Sequence, residues 1–163
     1  MFLNREQILE KLRKNELIID PPPDEDQIGI FGLYLRLGTQ FRQPPTAPLV
    51  EDDSLGLSEL TTQFSGSSTV SVELGQRVVL HRHSRLLATT LEYVQIPVDL
   101  VALVFPRSSW MRLGLVIVPS TVDPGFRGKL VLSLDNLGNM PIAIYPGTRI
   151  IRLAFTRIKA GIP

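Results

Sequence analysis

The sequence predicts an all-β protein with one short N-terminal helix. From Gln76 onward, short apolar-rich runs recur at intervals of about eight to twelve residues: Val78 to Leu80, Leu86 to Ala88, Leu91 to Ile96, Leu100 to Phe105, Leu113 to Val118, Leu130 to Leu134, Ile142 to Tyr145 and Ile150 to Phe155. Each is too short for an ordinary helix, and Gly and Pro punctuate the gaps, as in an antiparallel sandwich or barrel. Helix-start chemistry stands instead at the N-terminus.

There Asn4 is placed to cap, Gln7 follows three residues later, and Leu3 can staple onto Ile8, with Ile8, Leu9 and Leu12 on one face. The helix should end near Lys14-Asn15. Leu17-Ile18-Ile19 reads as a short extended segment before Pro21-Pro22-Pro23, which completes an N-terminal unit of residues 1–20. After an acidic loop, the second half of Gly29 to Gly38 alternates as a strand does. Residues 40–75 are dominated by Pro, acids, Ser and Thr and read as loops with one or two short strands, Glu51-Asp52-Asp53 being a solvated turn. The β core should span 76–158, and a chain of 163 residues is expected to form a single domain, 1–163, around one core.

Composition narrows the function. With 44% hydrophobic residues and a net charge of +1, neither a membrane span nor a broadly basic surface for long nucleic acid is indicated. The absence of Cys removes disulfides and thiolate chemistry, and no signal-like segment opens the chain, so a cytoplasmic location is expected. Zinc-dependent deamination of nucleobases needs Cys and His ligands with a Glu, and His81 and His83 are the only candidates. Two apart on a strand, they share a side, but without a third ligand they read as ordinary surface or interface histidines.

Pro106 to Gly128 carries the chemistry. Arg107 and Arg112 offer forked donors suited to phosphate oxygens, and Ser108 and Ser109 add hydroxyl and backbone donors in the same loop. The run Leu113 to Val118 then leads to Asp123-Pro124-Gly125, a turn signature that puts Asp123 at a strand end. An anion site is thus followed by a possible base. Trp110 can shape the pocket wall or pack in the core, and the core is the better expectation.

As an ordered set these residues resemble the superfamily of trimeric dUTP diphosphatases (dUTPases) and dCTP deaminases. Pro106 to Ser109 is similar to its second motif and continues into Arg112-Leu113-Gly114-Leu115 as in the deaminases; Val122 to Gly128 is similar to the third motif. Pro146-Gly147-Thr148-Arg149-Ile150 with Leu153-Ala154-Phe155 looks like the fourth, while Leu87 to Glu92 and Ile96-Pro97 match the strands before the second. The resemblance covers nearly the whole chain, weakly between about Gln40 and Gly75. It implies a distorted jelly roll or β-barrel of the dUTPase type, a homotrimer with sites between subunits, and a deoxynucleoside triphosphate, dUTP or dCTP, as ligand.

The resemblance also assigns roles. Asp123 would activate water; Arg107, Ser108 and Ser109, with Arg112, would hold phosphates across the subunit boundary; Phe126 would pack on the deoxyribose; and the hairpin backbone from Val118 to Val122 would read the base. Mg²⁺ is expected through the substrate phosphates, with no protein metal ligand. Three positions depart from the pattern. Tyr34 stands where the first motif has Asp, although Gly32, Leu35, Arg36, Leu37 and Gly38 keep its surroundings; Ser133 stands where deaminases carry a proton-shuttling Glu; and Arg152 stands where the fourth motif usually has Gln. Asp135, two residues along the same face, is a possible substitute for the Glu. The chain reaches Pro163 with neither a Gly-rich arm nor a deaminase-like tail, so the site is expected to be open or closed by another segment. Because Ser133 cannot shuttle protons as a Glu does, dUTP hydrolysis to dUMP and pyrophosphate is the leading expectation. A non-catalytic nucleotide-binding homologue and a dCTP deaminase are the alternatives.

Overall fold

A computed structural model describes residues 1–43 and 69–158. Helix α1 spans Arg5–Arg13, and its start is the expected capping box: the Asn4 side chain accepts from the Gln7 backbone, and the Gln7 side chain accepts from the Asn4 backbone. Leu3 and Ile8 are both buried, and Leu9 and Leu12 pack against the core. Lys11 Nζ then ties the helix down, reaching Glu16 at 2.8 Å and Asp99 at 2.9 Å. No described helix is long and apolar enough to cross a membrane.

The remainder is almost all strand. In order these are β1 (Ile18–Asp20), β2 (Leu33–Arg42), β3 (Thr69–Ser71), β4 (Val78–Leu80), β5 (Arg85–Gln95), β6 (Leu100–Pro106), β7 (Leu115–Ile117), β8 (Ser120–Val122), β9 (Arg127–Asn136), β10 (Ile142–Ile144) and β11 (Arg149–Arg157). Every pairing is antiparallel. Seven strands run β7-β9-β5-β2-β11-β6-β8, with β1 added to β5 and β3 to β2, while β10 and β4 form a separate ribbon. Alternation decides the faces: Leu33, Leu35 and Leu37 of β2 and Leu130, Leu132 and Leu134 of β9 point into the core. Each such leucine contributes about 1.5–3 kcal/mol by leaving water. The opposite face of β9 carries Lys129, Val131, Ser133 and Asp135, and Val131 is 67% exposed.

Several expectations change in detail. Leu86 to Ala88 and Leu91 to Gln95 belong to one strand, β5, which ends one residue short of Ile96 and whose pairing with β9 shifts register between Thr89 and Tyr93. Thr90 lies within this irregularity on the buried face, where its hydroxyl donates to the Glu92 carbonyl and accepts from Leu130 N. Ser108–Met111, expected as loop, forms a short helical turn, α2, which shortens the following run to β7. The loop-rich stretch expected from residue 40 begins later, because β2 runs to Arg42; β3 is one of its expected short strands, and Glu51-Asp52-Asp53 lies outside the described residues. His81 and His83 sit in the turn after β4 rather than on a strand, with His83 at φ +56°.

Candidate active site

The expected residues fall into two groups. In the first, β6 delivers Pro106 and Arg107 to the start of α2, beside β11 and β2. Arg107 is fixed through its backbone, whose N–H donates to the Ile150 carbonyl at 3.2 Å, and its guanidinium donates to the Arg149 carbonyl at 3.3 Å. Trp110 Nε1 donates to the same carbonyl at 3.2 Å while the ring packs on the core. A cleft of about 220 Å³ opens here, lined by Tyr34, Pro106, Arg107, Ser108, Ser109 and Arg152. Arg112 caps α2 on the exposed side, outside this lining.

Tyr34 and Arg152 meet because β2 and β11 pair in register at those two residues. The Tyr34 ring has the Arg107 guanidinium at 5.3 Å and that of Arg152 at 6.0 Å. Arg152 also lies over the Phe31 ring at 4.2 Å. Gly32 makes that approach feasible: it sits at φ +86°, and a Cβ there would lie 2.4 Å from the Leu153 carbonyl oxygen. Arg152 Nε is buried without a hydrogen-bond partner among the described residues. The lining contains no carboxylate.

The second group surrounds the turn after β8. Phe126 N donates to the Asp123 carbonyl at 3.1 Å, and Gly125 has φ +78°, the left-handed third residue that a type II turn requires. Val122 is buried, Asp123 is exposed and Phe126 leans on the core. These three line a cleft of about 380 Å³ that also takes in Lys129 and Val131 of β9. Lys129 went unremarked in the sequence; its outward place in an alternating strand was the available signal.

One chain does not bring the two groups together. Val122 pairs with Ala102, five residues before Arg107 along β6. Asp123 follows Val122 and so falls a sixth residue away; at about 3.3 Å per residue this puts Arg107 and Asp123 roughly 20 Å apart along the strand direction. Ser133 lies on the outer face of β9, and its hydroxyl donates to Asp135 Oδ2 at 3.1 Å, although their backbone positions are two residues apart. Asp135 Oδ1 in turn accepts from Arg85 Nε at 2.6 Å.

Mg²⁺, which the resemblance implies through the substrate phosphates, meets no carboxylate in the Arg107 pocket of one chain. It is held through one or two carboxylates together with substrate phosphates, and two guanidiniums with neutral hydroxyls favour phosphate oxygens instead. Among the described residues no group of three or more His, Cys, Asp or Glu could hold a metal ion.

The chain thus combines an all-β fold with a guanidinium and hydroxyl pocket and a separate acid-bearing turn. A family model described as dCTP deaminase-like matches residues 2–158, and the chain belongs to that family. It is 39% identical to a "dCTP deaminase, dUMP-forming" of Methanobrevibacter smithii, over 94% of this chain and 79% of the relative. The 2'-deoxycytidine 5'-triphosphate deaminase of Agrobacterium tumefaciens superposes with a TM-score of 0.71 at 22% identity, covering 94% of this chain and 47% of that one, so this chain spans about half its length. A dUTPase variant of Staphylococcus bacteriophage 80alpha superposes with a TM-score of 0.57 at 15% identity, over 90% of this chain and 93% of that one. The fold is therefore of the dUTPase type.

Proposed function

We propose that this chain binds dCTP between copies of itself and deaminates the cytosine at C4. The observation that carries this reading is the likeness to proteins named dCTP deaminase along 94% of the chain, supported by the two clefts around Arg107 and Asp123. It displaces dUTP hydrolysis as the first reading.

The two groups lie too far apart to share one ligand within a chain. A head-to-tail contact that sets one copy's Arg107 pocket against another's Asp123 cleft would complete the site and close a ring, which fits a homotrimer. Phosphates would sit at Arg107, Ser108 and Ser109, with Arg112 reaching in from the edge. Phe126 would pack on the deoxyribose, and the backbone leading to Val122 would meet the base. Deamination adds water at C4 and expels ammonia, giving dUTP, and needs a group that takes a proton from water and returns one to the leaving nitrogen. Ser133 alone is too weak a base. Its hydroxyl lies against the Asp135 carboxylate, so the pair supplies a relay in which Asp135 accepts the proton that Ser133 passes on. If the product is dUMP, as in the name of the Methanobrevibacter relative, pyrophosphate must also leave, and Asp123 is the carboxylate placed to activate that water. A cytoplasmic setting fits such nucleotide chemistry.

A second reading, nucleotide binding without turnover, is favoured by one contact: Arg85 already occupies Asp135. Incubation with dCTP and with dUTP, followed by chromatography, separates the readings. Deamination predicts dUTP or dUMP from dCTP, a fall of at least about 100-fold in Asp135→Asn, and an Asp123→Asn variant that still deaminates but forms no dUMP. No product from a folded, nucleotide-binding protein would give the second reading the assignment. Product from dUTP but none from dCTP would return it to hydrolysis.

A further inference from the structure

We propose that Arg152 makes the Arg107 pocket a metal-independent phosphate site, its guanidinium supplying the positive charge that a divalent cation would otherwise bring. The inference rests on the nucleotide reading only for which molecule carries the phosphates.

Its basis is that two arginines with no salt bridge among the described residues line one cleft around one aromatic ring. Arg36, Arg85 and Arg149 each meet a carboxylate, Glu92, Asp135 and Asp26 respectively. Among the described residues, Arg107 and Arg152 form no salt bridge, although both guanidiniums lie within 6.0 Å of the Tyr34 ring. The nearby acidic turn does not serve them, because Asp26 is held by Arg149 and Asp24 stands 3.8 Å from Arg36. Two like charges therefore flank one aromatic ring beside two exposed hydroxyls. Such an arrangement is electrostatically unfavourable until an anion enters it.

Arg152 is also prepared for that anion. Stacking on Phe31 at 4.2 Å fixes the guanidinium plane, and its buried Nε has no partner among the described residues. A planar fork held in place loses little freedom when it takes two phosphate oxygens, whereas a hydrated Mg²⁺ would have to approach two fixed cations in a lining to which this chain supplies no carboxylate. The aromatic side chain of Tyr34 contributes to the same outcome, being a neutral group at the centre of the cluster.

Isothermal titration of the full chain with inorganic pyrophosphate and with dCTP, in Mg²⁺ and in EDTA, tests this. Both ligands are expected to bind in EDTA with a Kd within about threefold of that in Mg²⁺. Arg152→Gln should weaken pyrophosphate binding in EDTA by about tenfold or more, and Arg152→Lys should recover part of it by keeping the charge without the fork. Tyr34→Asp should make binding depend on Mg²⁺. Binding by the wild type only when Mg²⁺ is present, or an unchanged affinity in a folded Arg152→Gln protein, would overturn the proposal; should Arg152→Gln not fold, the wild-type comparison decides alone. Metal-free pyrophosphate binding without dCTP turnover would uphold this site while removing the deaminase reading, and dCTP turnover with strictly Mg²⁺-dependent binding would do the reverse.

Discussion

Arg36 and Arg152 stand on paired strands, β2 and β11, and their surroundings differ in kind. Arg36 is matched: its Nε donates to Glu92 at 2.6 Å, its backbone N–H donates to the other Glu92 oxygen at 2.8 Å, and Gln27 Nε2 adds a donor at 3.2 Å. Glu92 is wholly buried, so the knot joins β2 to β5 below the surface. Arg152 is packed between aromatic rings and has no carboxylate, and it faces a cleft. A charge with its partner inside the protein holds the fold, whereas a charge without one is available to a ligand. The first kind should therefore fail in stability when altered and the second in binding.

The largest effect is expected at Glu92. Glu92→Gln leaves Arg36 with only the exposed carboxylate of Asp24, 3.8 Å away, and should cost about 3 kcal/mol in denaturant unfolding, since breaking a buried pair from one side is more costly than the pair is worth. Gly32→Ala comes next, because its backbone conformation and the 2.4 Å approach to Leu153 O admit no Cβ. A loss of about 1–3 kcal/mol is expected, together with weaker nucleotide binding as Phe31 moves from under Arg152. Arg107→Ala should show the opposite balance: a thermal transition close to that of the parent but a Kd for nucleotide raised about 10- to 100-fold by calorimetry. Unfolding of Arg107→Ala before any loss of binding could be read would break the comparison.

The smallest effect belongs to Asp26, whose hydrogen bond to the Arg149 side chain holds its carboxyl below the ordinary value. A lowered carboxyl stabilises the fold above its unfolded pKa and loses that contribution as pH falls through the folded one. The pair is exposed, so Asp26→Asn should be only slightly less stable than the parent at neutral pH, and thermal scans should show the gap closing in acid.

Much of this was legible in the sequence where the controlling physics is local. The Asn4 to Gln7 cap and the Asp123-Pro124-Gly125-Phe126 turn each involve residues three apart, and both form as read. The run Leu130 to Leu134 likewise forms a strand, and Ser133 and Asp135 share a face of it as read. Tyr34, Ser133 and Arg152 were visible as departures, but their consequences were not. Ser133 reaches Asp135 through side-chain geometry that backbone rise alone understates, and α2 was hidden in an Arg-Ser-Ser segment too short to show a helical period. The buried role of Glu92 was hidden because its partners lie 56 and 65 residues away in sequence.

By itself the sequence determined an all-β chain with a capped N-terminal helix, an arginine and serine motif and an acid-bearing turn, because hydrophobic period, caps and turn residues act within a few positions. Only the tertiary structure decided that Arg107 and Asp123 occupy distant parts of one chain, and that Tyr34 and Arg152 meet in register to form a pocket without a carboxylate. Strand order and register arise from contacts made across the whole chain, and they determine which charges are neutralised and which are left for a ligand.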